Sequence, residues 1–168
     1  MNLSKQHIFS ALNVDNTISN DLDETYRNVR IDSRLISKGD IFIAIKGDNV
    51  DGNDFIEDAI NRGASLVLSS KSIEHNSVRV VEDTVKSLGK IAEYFLSKID
   101  KKCIGITGTN GKSTVTRLIA SILKMNKKTH QTYKNYNNQI GLPLSILKAD
   151  DDTEYFVLEL GASKIGDI

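Results

Sequence analysis

The sequence predicts a mixed α/β fold, in which a small N-terminal α/β domain is followed by the first part of a parallel-sheet domain. Two observations support this. Short apolar runs that suit buried strands alternate with longer segments in which apolar residues recur every three or four positions, as on one face of a helix. From Lys101 onward the order is strand, loop, helix, strand, helix, strand. Alternation of this kind favours a parallel sheet with helices packed on its faces.

The N-terminal elements are predicted from apolar periodicity and from turn residues. Lys38 and Gly39 mark a turn before the alternating run DIFIAIK, and Gly63 ends a helix. The polar segment 46–53, KGDNVDGN, is predicted to be a loop. In chain order, the predicted elements are a helix over residues 2–12, strands over 26–31 and 40–46, a helix over 54–62, and strands over 66–68 and 78–81.

An amphipathic helix over residues 83–98 is predicted to connect two domains, with Asp83 or Thr84 as its N-cap. We therefore predict an N-terminal domain over residues 1–83, a connecting helix over 84–100 and a second domain over 101–168. Pro143 fits the first turn of a helix. The second domain is predicted to contain strands over residues 103–106, 129–133 and 155–160, and helices over 115–125 and 139–147.

Composition excludes several classes of protein. Lysine plus arginine and aspartate plus glutamate number 22 each, so a surface that mainly binds nucleic acid is not expected. No stretch approaches the roughly 20 apolar residues of a membrane span, so membrane insertion is not expected. The N-terminus lacks the pattern of a secretory leader, and a single cysteine fits a reducing compartment, so we expect a cytoplasmic protein. That residue, Cys103, is predicted to be a small buried hydrophobe rather than a nucleophile.

The most informative stretch is GITGTNGKST, residues 105–114, between a predicted strand and a predicted helix. Glycines let successive backbone N–H groups point at one anion, and a helix N-terminus adds partial positive charge. In such a phosphate-binding loop, Lys112 would reach the β- and γ-phosphates and the Ser113 hydroxyl would bind Mg²⁺. The stretch therefore predicts a nucleoside triphosphate site.

This loop departs from the general phosphate-loop pattern at one position. Counting back from Gly111, the first glycine of the pattern is replaced by Ile106, so a plain glycine-rich turn with an exposed lysine is the alternative interpretation. A dinucleotide-binding loop is disfavoured because the glycine spacing differs. In addition, no acidic residue stands roughly 20 positions further on, where Gln131 and Tyr133 lie.

Taken with three further stretches, the loop resembles that of the Mur ligases, cytoplasmic ATP-dependent enzymes that form amide bonds in peptidoglycan synthesis. The family's loop is the shortened form TGTNGKS/T, which accounts for Ile106. Residues 135–147, NYNNQIGLPLSIL, and 157–162, VLELGA, look most like the branch that adds D-alanyl-D-alanine. Asp32-Ser33-Arg34 and the sequence from Lys38 onward resemble the family's N-terminal uridine-nucleotide domain.

The resemblance implies the cofactors ATP and Mg²⁺, the substrates UDP-N-acetylmuramoyl-tripeptide and D-alanyl-D-alanine, and an acyl-phosphate intermediate. Lys112 and Glu159 would be catalytic, and Ser113 and Glu159 would bind the metal ion. An exposed strand-end acid is the alternative for Glu159. The residues implied to bind ATP are Gly108, Thr109, Asn110, Gly111, Lys112, Ser113 and Thr114.

The resemblance also implies a set of substrate-binding residues. Asn137 and Asn138 would orient the UDP-sugar substrate, with a helix cap and turn as the alternative. In the N-terminal domain, Ser33 and Arg34 would hold the uridine diphosphate, since arginine forks onto phosphate oxygens. Lys46 and Gly47 lie in a loop that would approach the ligand closely. A plain surface Asp-Ser-Arg is the alternative interpretation of the first of these two segments.

Family members are longer than this chain, and we expect the rest of the ATPase sheet, the adenine-binding segment and the C-terminal domain to be missing. The chain alone is therefore predicted not to ligate, and the missing C-terminal portion is a candidate partner. Two alternatives stay open: the diaminopimelate- or lysine-adding branch, and a non-catalytic fragment that binds UDP-muramoyl peptide. A folate-modifying relative is disfavoured by the Asp-Ser-Arg domain.

Overall fold

The computed structural model describes residues 3–13, 25–98, 101–133 and 135–162. The chain divides into two compact units, Met1–Ile91 and Ala92–Ile168. The division falls inside helix α3 (Thr84–Lys98), and the three-part division with a connecting helix stays a prediction. Within the described ranges, no helix is long and apolar enough to cross a membrane.

The N-terminal unit is organised around a four-stranded parallel sheet. Its strands, in spatial order, are β3 (Val29–Arg30), β4 (Ile41–Ile43), β5 (Leu66–Ser69) and β6 (Val78–Val80). Every residue of β4 and β5 is buried, as expected for parallel strands covered on both faces. On one face, helix α2 (Ile56–Asn61) contributes Ile56 and Ala59 to a cluster with Phe42, Ala44 and Val67.

The N-terminal helix and the first predicted strand differ from expectation. Helix α1 spans Lys5–Leu12 and is preceded by strand β1, Leu3–Ser4. The helix begins after Ser4, because the backbone of Ser4 is extended and its hydroxyl accepts a hydrogen bond from His7 N at 3.3 Å. Asn2 lies outside the described residues. The strand predicted over residues 26–31 is two strands, β2 (Thr25–Tyr26) and β3, which belong to different sheets. β2 pairs antiparallel with β1, and the chain then turns into the four-stranded sheet.

The C-terminal unit contains a three-stranded parallel sheet in the order β7 (Lys102–Ile106), β9 (Tyr155–Glu159) and β8 (Thr129–Gln131). Helices α4 (Lys112–Lys124) and α5 (Gly141–Ile146) connect the strands and pack beside β9. Because β9 is central, Phe156, Val157 and Leu158 are buried. The alternation of strands and helices predicted from the sequence is confirmed.

Two predicted helix starts are also confirmed. Asp83 is the cap of α3, since its Oδ1 accepts hydrogen bonds from Val85 N and Lys86 N, each at 2.9 Å. Pro143 lies in the first turn of α5, where its missing N–H breaks no helical bond.

The prediction that Cys103 is buried is wrong. This thiol is exposed, because it lies on β7, an edge strand of the described sheet. Partial desolvation still raises the pKa of Cys103 above its usual range, so it stays protonated near neutral pH. Helix α4 shows the same exposure: Leu118 and Ile122 are 59% and 67% exposed, whereas Ile119 and Leu123 are half-buried.

Candidate functional site

The glycine-rich loop links the end of β7 to the start of α4. Gly108 and Gly111 have φ values of 142° and 77°, in the region that favours glycine, and a Cβ atom on either would meet nothing within 4 Å. The loop is therefore open on the side of these two residues. Gly111 stands at the N-cap of α4, and its carbonyl accepts the first helical bond, from Val115 N at 2.9 Å. The N-terminal N–H groups of α4 thus begin directly at the loop.

Lys112 is half-buried, and its Nζ donates a hydrogen bond to the Gly108 carbonyl at 2.8 Å. The ammonium group therefore lies over the loop, where a bound phosphate would meet it. The other side chains predicted to contact ATP are exposed: Thr109, Asn110, Ser113 and Thr114.

Glu159 is the last residue of β9 and pairs in register with Ile106, the last residue of β7. The ladder continues with Leu160 N, which donates to the Ile106 carbonyl at 2.9 Å. Since the loop begins immediately after Ile106, both the loop and Glu159 lie at the carboxyl end of one sheet, where ligands bind in α/β proteins. Glu159 is 5% exposed, so the alternative of an exposed strand-end acid does not describe it.

A third segment reaches the same sheet edge. Asn137 Nδ2 donates to Glu159 Oε1 at 2.9 Å, and its own carbonyl accepts a hydrogen bond from Gly161 N at 2.8 Å. After β8, the Thr132 hydroxyl accepts a hydrogen bond from Glu159 N at 2.9 Å. Both the backbone and the side chain of Glu159 are therefore held by residues that sequence reasoning did not connect to it.

Asn138 has a different role from its neighbour. Its Oδ1 accepts hydrogen bonds from Ile140 N at 3.1 Å and from Gly141 N at 2.7 Å, at the start of α5. This is the cap-and-turn geometry that was the alternative for this residue. Asn137 thus contacts Glu159, whereas Asn138 caps the start of α5.

The oxygen donors at this edge suit Mg²⁺. A carboxylate from Glu159 and a hydroxyl from Ser113 are hard ligands, and Mg²⁺ keeps several waters and substrate phosphate oxygens rather than requiring a cage of side chains. The described part of the chain contains no cluster of three or more His, Cys, Asp or Glu side chains that could hold a metal ion. The carboxylate of Glu159 and the hydroxyl of Ser113 are donor types that fit a Mg²⁺ ion bound together with a nucleotide.

In the N-terminal unit, Ser33 and Arg34 lie in a 3₁₀ turn, Ser33–Leu35, that follows β3. Arg34 forks onto its neighbour Asp32, with Nε at 2.9 Å from Oδ1 and Nη2 at 2.7 Å from Oδ2, and this hydrogen bonding lowers the pKa of Asp32. Ser33 is buried, and its hydrogen bond is the main cause that lowers the pKa of Asp58. Both candidate residues already have partners within the chain.

Lys46 and Gly47 belong to a turn that is closed by the chain itself. Lys46 forms an isolated antiparallel bridge with Asp51, and Gly47 N donates to the Val50 carbonyl at 2.9 Å. Asp51 accepts hydrogen bonds from Asn53 N and from Lys71 Nζ, each at 2.9 Å, and these contacts lower the pKa of Asp51 to about 2. Both Lys46 and Gly47 are exposed.

Sequence reasoning missed Thr132, Gly161 and the contact between Asn137 and Glu159. A usable signal existed, because β8 and β9 were predicted to be parallel, so the residues that follow them meet at one edge. A Cβ atom on Gly161 would lie 2.9 Å from the Asn137 carbonyl oxygen, so only glycine permits this approach.

Two family descriptions match the chain. Residues 25–95 match the family described as "Mur ligase family, catalytic domain", and residues 106–167 match the one described as "Mur ligase middle domain". Among curated proteins, the chain is similar to two UDP-N-acetylmuramoyl-tripeptide–D-alanyl-D-alanine ligases. The Bacillus subtilis protein is 38% identical over 83% of this chain, and the Escherichia coli protein is 33% identical over 87%. This chain spans about a third of each, since the matches cover 32% of both relatives.

Solved structures agree. The MurF ligase from Thermotoga maritima, determined in complex with ADP, has a TM-score of 0.80 and 36% identity, over 84% of this chain and 34% of that one. A MurF structure from Acinetobacter baumannii has a TM-score of 0.85 and 27% identity, over 99% of this chain and 37% of that one.

Proposed function

The chain belongs to the Mur ligase family, and from this premise we propose that it forms the part of a ligase that binds ATP and UDP-N-acetylmuramoyl-tripeptide for the addition of D-alanyl-D-alanine. The observation that carries the proposal is the register of β7 and β9, which pairs Ile106 with Glu159 and so sets a carboxylate beside the open glycine loop. ATP and Mg²⁺ are the proposed cofactors, and the cytoplasm is the proposed compartment.

The proposed chemistry begins when the terminal carboxylate of the tripeptide attacks the γ-phosphorus of ATP, which breaks the bond to the β,γ-bridging oxygen and releases ADP. The resulting acyl phosphate is then attacked by the amine of D-alanyl-D-alanine, which forms the amide and releases phosphate. Two anions must be brought together in the first step, so the site has to supply positive charge and fixed geometry. Mg²⁺, when bound, would neutralise charge on the phosphoryl oxygens.

Different residues of this chain would bind the phosphates, the metal ion and the uridine diphosphate. The N–H groups of residues 108–114 and the N-terminus of α4 would cradle the phosphates, and Lys112 would exchange the Gly108 carbonyl for a phosphate oxygen. Glu159 and Ser113 would bind the metal ion. In the N-terminal unit, Arg34 would bind the uridine diphosphate only by leaving Asp32, while Lys46 and Gly47 offer an exposed cation and backbone.

We further propose that the chain alone does not ligate and that an exposed apolar surface of α4 receives the remaining part of the ligase. Val115, Leu118 and Ile122 of this helix and Met125 at its C-cap are exposed, and the last two are 67% and 77% exposed. A contiguous exposed apolar surface on a soluble protein commonly marks an interaction site. Supply of the corresponding C-terminal portion of a relative in trans tests this. Restored ligation that is lost in Leu118→Lys would support it, and binding that is indifferent to this substitution would contradict it.

The experiment that tests the proposed substrate is a calorimetric titration of the chain, with Mg²⁺ and a non-hydrolysable ATP analogue, against UDP-N-acetylmuramoyl-tripeptide and then the dipeptide form. Preferential binding of the tripeptide is expected. Preferential binding of the dipeptide would favour the diaminopimelate- or lysine-adding branch. Binding of neither, by chain shown to be folded, would contradict the proposed substrate site.

The proposed nucleotide site has its own variant and control. Lys112→Ala removes the ammonium group over the loop and is expected to weaken binding of the ATP analogue by about 100-fold, the size of a lost charge-assisted hydrogen bond of about 2–3 kcal/mol. Lys124→Ala removes a lysine from the opposite end of α4, where Nζ donates to Gln131 Oε1 at 3.1 Å, and should leave the affinity unchanged. Equal affinities for wild type and Lys112→Ala would contradict an ATP site here.

A further inference from the structure

We propose that Asn137 is a positioning residue, which restrains the carboxylate of Glu159 at the sheet edge where the phosphate loop begins and thereby sets the affinity of the site for its divalent cation. The inference deepens the proposed function and rests on it for the identity of the ligands. The contact joins residues 22 positions apart, Asn137 Nδ2 and Glu159 Oε1, at 2.9 Å.

The chemistry of the pair suits this role. A carboxylate has room for about four hydrogen bonds or metal contacts, so one N–H from Asn137 restrains the group and leaves it capacity to bind a cation. An amide is neutral, so it does not attract an approaching cation as a second carboxylate would. It also does not compete with the cation for Glu159 as an ammonium group would. Hydrogen bonds to an ionised acceptor are also stronger than neutral ones.

Asn137 is itself held in place. Its carbonyl accepts the hydrogen bond from Gly161 N at 2.8 Å, and a Cβ atom on Gly161 would lie 3.1 Å from Asn137 Cγ. The position of the Asn137 side chain therefore depends on Gly161, which lies two residues after Glu159. Gly161→Ala should displace Asn137 without removing any functional group.

The backbone of Glu159 is held independently of Asn137. Thr132 accepts from Glu159 N at 2.9 Å, and the ladder to β7 fixes the strand in register. Loss of the Asn137 side chain should consequently free the Glu159 carboxylate to rotate while leaving its Cα in place. The predicted defect is in the orientation of a ligand, not in the fold of the sheet.

The test is a Mn²⁺ titration of the full 168-residue chain saturated with a non-hydrolysable ATP analogue, followed by electron paramagnetic resonance of free Mn²⁺. Asn137→Ala and Gly161→Ala are each expected to weaken Mn²⁺ binding by about 10-fold, the usual lower limit when a group that orients a metal ligand is removed. Affinity for the nucleotide in EDTA should not change, because the loop and Lys112 are intact. Asn126→Ala, at an exposed asparagine in the turn after α4, is the matched control and should bind Mn²⁺ as wild type does.

A second readout follows the contact itself. In the wild-type chain, the side-chain amide protons of Asn137 should exchange slowly with solvent by NMR, and Glu159→Ala should abolish this protection. Wild-type Mn²⁺ affinity in Asn137→Ala, with weakened affinity in Glu159→Ala, would overturn the positioning role alone and leave the proposed function standing. A nucleotide-saturated wild-type chain that binds no Mn²⁺ would overturn both.

Discussion

In the N-terminal unit, β4 and β5 lie inside a parallel sheet and every one of their residues is buried, whereas in the C-terminal unit β7 forms a sheet edge and none of its residues is fully buried. Both sheets are parallel and both are built from apolar runs. The difference lies in coverage: α2 and its neighbours close one face over β4, whereas among the described strands β7 pairs with β9 alone. An apolar run therefore predicts a strand, but its neighbours decide how much that strand stabilises the protein.

The largest expected effect comes from a matched pair of leucines. Leu68 in β5 is 0% exposed and Leu118 in α4 is 59% exposed. Leu68→Ala should lower the free energy of unfolding by about 3 kcal/mol, because it removes buried methyl groups and leaves a cavity. Leu118→Ala should change it by less than about 0.5 kcal/mol. Urea unfolding followed by far-UV circular dichroism measures both, and similar effects at the two sites would contradict the difference in burial between the two leucines.

A pair of glycines makes the second comparison. A Cβ atom on Gly52 would lie 2.6 Å from the Ile45 carbonyl oxygen, whereas one on Gly89 in α3 would meet nothing within 4 Å. Gly52→Ala should destabilise the chain by about 2 kcal/mol, because backbone must move. Gly89→Ala should stabilise it by up to about 1 kcal/mol, the helix preference of alanine over glycine. Thermal unfolding gives both signs, and destabilisation by Gly89→Ala would show a contact that the structure does not have.

Asn138→Ala separates the roles of two neighbouring asparagines in the C-terminal unit. It removes the oxygen that accepts from Ile140 N and Gly141 N, and loss of such a cap costs about 1 kcal/mol. Because Asn138 restrains α5 and not Glu159, Mn²⁺ affinity in the presence of the nucleotide should be much less affected than in Asn137→Ala. A larger loss of Mn²⁺ affinity in Asn138→Ala would indicate that the two asparagines have exchanged roles. Chemical denaturation and the Mn²⁺ titration on the same sample supply both values.

The smallest expected effect is in the pH dependence of the N-terminal unit. The pKa of Asp51 is lowered to about 2, chiefly by the Asn53 backbone N–H and then by Lys71. An acid with a lowered folded-state pKa stabilises the fold above its unfolded pKa of about 3.9, and this stabilisation is lost as the pH falls through the folded value. Stability should therefore decline between about pH 4 and pH 2. The decline should be shallower in Asp51→Asn, and equal slopes would contradict a role for this carboxylate.

Sequence reasoning succeeded where the signal is local and failed where it depends on distant partners. The cap at Asp83 and the loop glycine Gly111 follow from preferences of single residues for particular backbone conformations. The break between β2 and β3 did not follow, because the segment YRNVRI over residues 26–31 gives no sign that the strand changes sheets. Exposure of Cys103 was missed because a strand's sequence does not reveal whether it lies at an edge.

The candidate site shows the same division. The phosphate loop, Lys112 and Glu159 could be expected at one sheet edge, because each follows or ends a strand of a sheet predicted to be parallel. That Asn137 engages Glu159 could not, since the contact forms only when a segment after β8 folds back onto the end of β9. Nor could the sequence show that Arg34 is already bound to Asp32, because the local sequence does not reveal whether an arginine side chain is paired or free.

Because Ile106 pairs with Glu159, the register of the hydrogen-bond ladder determines where the Glu159 carboxylate lies relative to the phosphate loop. Side chains alternate between the faces of a strand, so a one-residue insertion within β9 would carry the carboxylate to the opposite face of the sheet. An insertion of the same size in the exposed turn at Asp151–Asp152, before the strand, would leave the register of β9 with β7 unchanged. Tolerance to added length is therefore expected to change abruptly at Tyr155, where the strand begins.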